Sequence, residues 1–281
     1  MRILVLGSSG MLGSTTYQYL VTKGHDVLGV SRRSVEGINS VEIDVWTQFN
    51  KLEKFILKDR PEVVINCIGV LVRESNEYPT KAIYLNSLFP HRLSDLCIDC
   101  FSKLIHISTD CVFNGEKGPY IERDLPTEIN WYGKTKALGE LDNSTDLTLR
   151  TSIIGPDLDF EGVGLFNWFS RQKGDVFGYT NVFWNGITTL ECTKQIERII
   201  TENITLSGLY HLTTPESISK YDLLKTIRKV FGPFHANIIP SDKLKQNKVL
   251  INSRKDYSPR ISSYEKQLRE LKKFIEENTY V

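Results

Sequence analysis

The opening residues MRILVLGSSGMLG carry an apolar run, Ile3-Leu4-Val5-Leu6, straight into glycines at Gly7, Gly10 and Gly13. A strand that ends in Gly-x-x-Gly-x-x-Gly and opens a helix brings backbone close to a pyrophosphate. Gly7 permits the tight turn and Gly10, beside Ser9, clears side-chain bulk where phosphate approaches. Gly13 lets the helix pack on the sheet. The helix start then offers free N–H groups and a partial positive charge to the anion.

The rest of the chain is compatible with that start. Its 281 residues hold one large domain, or a core with a smaller appendage. The 35 basic residues against 34 acidic ones leave no nucleic-acid footprint and no acidic tail. No apolar run is long enough to span a bilayer, and Met1 leads directly into a core strand. A membrane span and a signal peptide are therefore not expected, and the expected location is cytoplasmic. Five cysteines, an odd number, fit a reducing compartment. Cys97 and Cys100 have redox spacing but fall in an apolar periodic stretch that reads as a buried helix face. No metal site is expected.

Strand and helix signals alternate through residue 151. Strands are expected at 25–30, 63–67, 104–108 and 147–151, and helices at 51–58, 81–100 and 131–141. This pattern predicts an α/β fold, a doubly wound Rossmann-type parallel sheet with helices on both faces. Beyond residue 155 the pattern loosens, with helices at 190–201, 220–231 and 264–277 and a strand at 209–212. The expected division is a dinucleotide-binding core of residues 1–153 with a returning segment near 181–203. A smaller C-terminal substrate-binding lobe takes 154–180 and 204–281. Ligands of such sheets bind beyond the carboxyl ends of the strands.

The end of the second strand meets the adenosine ribose in a dinucleotide fold. There a carboxylate prefers NAD and an arginine accommodates the extra phosphate of NADP. This chain reads Gly29-Val30-Ser31-Arg32-Arg33, a hydroxyl followed by two guanidiniums. NADPH is the expected cofactor, with NADH the alternative.

Tyr132-Gly-Lys-Thr-Lys136 contains Tyr-x-x-x-Lys, whose spacing puts both side chains on one helix face. Tyr19/Lys23 and Tyr221/Lys225 match the bare pattern equally well. Only Tyr132 follows the strand ending in Ser108-Thr109-Asp110, where the nicotinamide half of a dinucleotide belongs. Ketone reduction leaves an alkoxide that must take a proton, and a phenol of ordinary pKa about 10 is a matched acid. An ammonium about 4 Å away, at an effective dielectric of about 20, favours the phenolate by roughly 4 kcal/mol. Lys136 is thus expected to draw Tyr132 toward neutrality. Thr109 is expected to give the carbonyl oxygen a second hydrogen bond.

The stretch STDCVFNGEKGPYIERDLPTEINWYGKTKALGE, residues 108–140, resembles the STDYVFDG…GPY…YGKTK stretch of dTDP-4-dehydrorhamnose reductases, members of the extended short-chain dehydrogenase/reductase superfamily. The opening glycines, Leu149-Arg150-Thr151-Ser152 and Gly208-Leu209-Tyr210-His211-Leu212 extend the likeness. The resemblance implies Tyr132 as proton donor, Lys136 as its partner, and Thr109 and Asp110 against the sugar. It also implies dinucleotide contacts from Gly10, Met11, Leu12, Asp44, Val45, Cys67, Ile68 and Gly69. Asn86 resembles the asparagine that many superfamily members use for a proton-relay water.

This chain departs from the family where Cys111 replaces a tyrosine and Ile153 an aromatic residue. The sugar surface is then less aromatic. Trp184, with Asn185 beside it, is expected to supply a stacking wall, and Arg73 to reach the substrate. Arg150, Arg73 and Arg254 are candidates to neutralise a nucleotide diphosphate, or are surface or buried-pair arginines. The lost bulk suits a UDP-linked 2-acetamido-4-keto-6-deoxyhexose, and the implied setting is deoxysugar synthesis for surface polysaccharide. Rival readings are a sugar-nucleotide epimerase or dehydratase, and a non-catalytic regulatory subunit like the methionine adenosyltransferase β subunit. Cys111 is a poor substitute for the dehydratase carboxylate. By analogy the assembly is a homodimer.

Overall fold

The computed structural model describes residues 1–159 and 162–278. Six strands in chain order are β1 (Arg2–Leu6), β2 (Asp26–Ser31), β3 (Ser40–Glu42), β4 (Val63–Asn66), β5 (Lys103–Thr109) and β6 (Leu147–Thr151). With Gly208–His211 at the edge beside β6, they form one parallel sheet in the order β6-β5-β4-β1-β2-β3. Between β1 and β4 the strand order reverses, opening the crevice in which this class of sheet binds ligands.

Burial on both faces explains the apolar strands. In β1, Ile3 and Val5 join one core with Leu12, Ile196 and Ile199, and Leu4 and Leu6 join another with Leu52, Phe89 and Leu93. Helix α1 (Met11–Thr22) and helix Thr189–Glu202 cover the first face, and α2 (Phe49–Asp59) and helix Phe89–Cys100 cover the second. Each fully buried aliphatic side chain contributes roughly 1.5–3 kcal/mol. Cys97 is part of the second core.

The helix expected over 81–100 is a helical run from Pro79 to Cys100 with a π-helical segment at Ile83–Leu88. The segment after β4, which carries Arg73, is helical over Val72–Glu77. In the lobe, Gly174–Trp184 pairs in parallel with Ala236–Asn247 and antiparallel with Ile218–Ser219. Period-two patterning is weak in those strands, which leaves them unreadable in sequence. The returning segment supplies the helix Thr189–Glu202. Residues 208–211, expected in the lobe, form the edge of the central sheet, and Trp184 packs with the lobe core.

Candidate active site

Gly7 has φ +79°, a left-handed conformation that other residues adopt at a cost, and its N–H donates to the Val30 carbonyl at 2.8 Å. A Cβ at Gly13 would collide with the Gly7 carbonyl, so α1 can start this close to the turn only with glycine there. The first helical bond of α1 runs from the Ser14 N–H to the Gly10 carbonyl, and no side chain caps the helix. The N–H groups of Met11, Leu12 and Gly13 therefore lie open at the helix start, as anion binding requires. The Leu12 side chain itself is core.

Beside this turn a groove of about 160 Å³ is lined by Gly7, Ser9, Gly10, Ser31, Arg32, Asp44, Val45, Cys67, Ile68 and Gly69. It lies at the ends of β1, β2 and β4, and its size suits one end of a dinucleotide rather than the whole. Arg32 lines it, whereas exposed Arg33 does not. Ser31 spends its hydroxyl on the Arg33 carbonyl at 2.7 Å. Asp44 accepts the Trp46 N–H at 3.0 Å. The sequence reading missed Ile43, Val70, Glu74, Lys81 and Leu85 in the same groove, because helices 72–77 and 79–82 and the π-helical segment 83–88 bring the last three there.

Asn86 is fully buried, at the middle of the π segment. Its Oδ1 accepts the Val70 N–H at 2.8 Å, and its Nδ2 donates to the Val70 carbonyl at 3.0 Å and the Thr135 hydroxyl at 3.1 Å. Its side chain thus clamps the end of the groove to the helix Trp131–Leu138.

That helix carries Tyr132 and Lys136 and is capped by Asn130, whose Oδ1 accepts the Gly133 N–H at 2.9 Å. Lys136 is 4 % exposed and donates to the Ile107 carbonyl on β5 at 2.6 Å. Burial brings its amine down to about 8, with Glu140 and Cys67 acting the other way. Cys67, which lines the groove, acts electrostatically on Lys136, whose amine is anchored on β5. The two rival Tyr-x-x-x-Lys matches fold differently. Lys23 lies over the Tyr19 ring at 5.2 Å and Lys225 over the Tyr221 ring at 5.0 Å, each a local cation–π pair.

At the end of β5, Thr109 accepts the Cys111 N–H at 3.1 Å and donates to Asp110 Oδ1 at 3.2 Å. Burial lifts the Tyr132 phenol well above its usual value, helped by Cys111 and Asp110, while a hydrogen bond with Thr109 opposes the lift. The expected drop toward neutrality is not what this geometry gives: desolvation sets the direction, and the Lys136 ammonium is turned to the Ile107 carbonyl. Burial first, and then Asp110, push the Cys111 thiol up to about 12, so it stays neutral.

The remaining expected substrate residues lie elsewhere. Trp184 is 4 % exposed, donates to the Ser152 hydroxyl at 2.7 Å, and is covered by Tyr264 at 5.8 Å and the Lys220 ammonium at 4.7 Å. It is a packed strut rather than an open stacking wall. Asn185 is buried and clamps Leu250 at both backbone ends, accepting its N–H at 2.9 Å and donating to its carbonyl at 2.7 Å. Ile153 packs against the first core. Arg73 is exposed and pairs with Glu77 at 2.9 Å. Arg150 is a buried pair with Glu140, and Arg254 pairs with Asp256 and donates to the Leu209 carbonyl at 3.1 Å. Lys220 and Lys248, unremarked in sequence, act electrostatically on Cys111 and on each other. Long-range pairing of Ile218 with Trp184, with packing of the helix Lys220–Phe231 on the same strand, brings Lys220 there.

The family model described as the RmlD substrate binding domain matches residues 1–154. The chain belongs to this family. It is 26% identical over 255 residues to a dTDP-4-keto-6-deoxy-D-glucose reductase of Streptomyces niveus, covering 86% of this chain and 84% of that one. It is also 26% identical over 258 residues to methionine adenosyltransferase 2 subunit beta of Danio rerio, covering 85% and 76%. A dTDP-4-dehydrorhamnose reductase of Bacillus anthracis, solved in complex with NADP, has the same fold. Its TM-score is 0.78 over 98% of this chain and 99% of that one, at 20% identity. Among the described residues no helix is long and apolar enough to cross a membrane.

Proposed function

We propose that this family member is an NADPH-dependent reductase of a nucleotide-linked 4-keto-6-deoxy sugar. The observation that carries the reading is the juxtaposition of Thr109, Tyr132 and Lys136 at the end of β5, beside a glycine turn with an uncapped helix start. The residues fit the dinucleotide. A Cβ at Gly7 or Gly13 would crowd the turn, Met11, Leu12 and Gly13 offer N–H groups to the pyrophosphate, and Arg32 reaches the ribose phosphate. When bound, NADPH supplies the hydride.

This chain's own residues do the rest. Thr109 donates to the carbonyl oxygen and holds it as charge develops. Tyr132 hands its proton to the nascent alkoxide. A phenol lifted by burial is protonated at neutral pH, so it is always ready to donate, and the alkoxide is basic enough to take the proton. Lys136 would hold the nicotinamide ribose and is largely protonated below pH 8. Lys220 and Lys248, near Cys111, offer donors to the sugar ring substituents, which suits a 2-acetamido group on a UDP-linked hexose. The core of residues 1–153 binds the dinucleotide and the lobe closes over the sugar.

A second reading, a regulatory subunit, draws on the equal identity to methionine adenosyltransferase 2 subunit beta. One screen separates the two. NADPH oxidation is followed with dTDP- and UDP-linked 4-keto-6-deoxy sugars, and the C4 configuration of the product is determined. Stoichiometric NADPH consumption with one of them is expected. Absence of turnover with all of them, in protein that still binds NADP, overturns the reductase reading.

A further inference from the structure

His106 lies on β5, fully buried, three residues before Thr109, and its register partner on β4 is Asn66. Asn66 fixes the hydrogen of the imidazole. Its Oδ1 accepts the Ile68 N–H at 3.1 Å, so the other end of the amide, Nδ2, is the donor that meets His106 Nδ1 at 3.0 Å. A ring nitrogen that accepts a hydrogen bond carries no hydrogen. Burial, with the charges of Lys136 and His91, holds the His106 pKa well below its usual value, so the ring is neutral. Its one hydrogen is then on Nε2, which lies 3.4 Å from Lys136 Nζ.

We propose that His106 is a positioning residue for Lys136: as the Nε2–H tautomer it presents a donor, not an acceptor, to the amine, whose own hydrogens turn to the Ile107 carbonyl. The role rests on the reductase reading of Lys136, but the geometry does not need it. An N–H aimed at an ammonium disfavours the charged form, and an N–H aimed at a free amine finds an acceptor. Both act in the same direction as burial on Lys136. The groups that face Lys136 from the packed elements are His106 on β5, Cys67 after β4 and Glu140 beyond its own helix, with Tyr132 one turn back. Of these only His106 supplies a fixed donor.

Two measurements on the full chain without substrate test this apart from any activity. Long-range ¹H–¹⁵N correlation of wild-type His106 is expected to give the Nε2–H tautomer. The Nδ1–H tautomer, or a protonated ring at neutral pH, overturns the proposal. His106→Phe keeps a ring in place and removes the N–H. The Lys136 titration, followed by its ¹³Cε shift, is expected to move up by about one unit, tenfold in proton affinity. An unchanged or lowered titration overturns the proposal, and if the variant does not fold, the wild-type tautomer decides. In the reductase, the same substitution moves the alkaline limb of the pH–rate profile upward. A purely structural loss lowers kcat without moving that limb.

Discussion

Arg150 closes on Glu140 through two parallel bonds, Nη2 to Oε2 at 2.6 Å and Nε to Oε1 at 2.8 Å, with both side chains nearly inaccessible to water. Ser108, the register partner of Arg150, donates to the same Oε1 at 2.6 Å. Removing one member of a buried pair strands the other charge. Glu140→Gln is expected to cost about 3–5 kcal/mol, read as a lowered urea midpoint. An Arg150 that served the diphosphate would instead lose substrate affinity with stability unchanged.

Tyr132→Phe is expected to fold normally and to bind NADPH with unchanged affinity, since the phenol ring keeps its packing. Loss of the proton donor lowers kcat by about 10²–10⁴-fold. Steady-state kinetics alongside dinucleotide fluorescence titration check this.

Lys136 carries a cost of folding. Its amine falls from 10.5 to about 8 on burial, worth up to ~3 kcal/mol at about 1.4 kcal/mol per unit. Below pH 8 the folded and unfolded chains both hold the proton and the full cost is present. Between pH 8 and 10.5 only the unfolded chain holds it, and the cost fades. Lys136→Met is therefore expected to raise the midpoint of chemical unfolding at pH 7, to lose that advantage by pH 10.5, and to be inactive.

Arg32 lines the groove and Arg33 does not. Arg32→Ser is expected to lower kcat/KM for NADPH about tenfold to a hundredfold, the range of a charge-assisted bond, and to leave NADH turnover nearly unchanged. Arg33→Ser serves as the control, with the cofactor ratio close to wild type. Kinetics with both dinucleotides check the pair.

Gly13→Ala places a methyl against the Gly7 carbonyl. Helix α1 must then move off the turn, at an expected cost of about 1–3 kcal/mol, together with weaker NADP binding by calorimetry. At Gly24, where nothing lies within 4 Å of an added Cβ but φ is +78°, alanine is expected to affect stability without affecting NADP affinity.

The parts of the site that could be read in sequence are those fixed by neighbours along the chain. The glycine turn, the end of β2 and the Tyr132–Lys136 helix each need only a strand or helix and its cap. Their relative placement follows from the parallel sheet. The residues misjudged are those whose partners come from far away. Trp184 has an aromatic side chain suited to a sugar, but Ser152, Tyr264 and Lys220 claim it from three separate segments. Asn185 is likewise taken by Leu250. Arg73 is exposed because residues 72–77 wind into a helix that sets Glu77 one turn away. At Tyr132 the spacing to Lys136 is legible in the sequence, but burial raises the phenol and the lysine is turned to Ile107. How deeply a phenol is buried is a property of the whole fold.

The widened turn at Ile83–Leu88 has a genetic corollary. An α-helix advances about 100° per residue, and a π turn takes up one extra residue by widening, so the helix beyond it keeps its phase. Upstream the run seats Ala82; downstream it seats Leu93, Leu96 and Cys97. Deleting a single codon between 83 and 88 would let the turn revert to regular winding with those three side chains still on the sheet, at the expense of the Asn86 clamp on Val70. Single-codon deletion scanning should therefore find this stretch more tolerant for folding than the regular helix that follows it, where a deletion rotates the core side chains beyond it off the sheet.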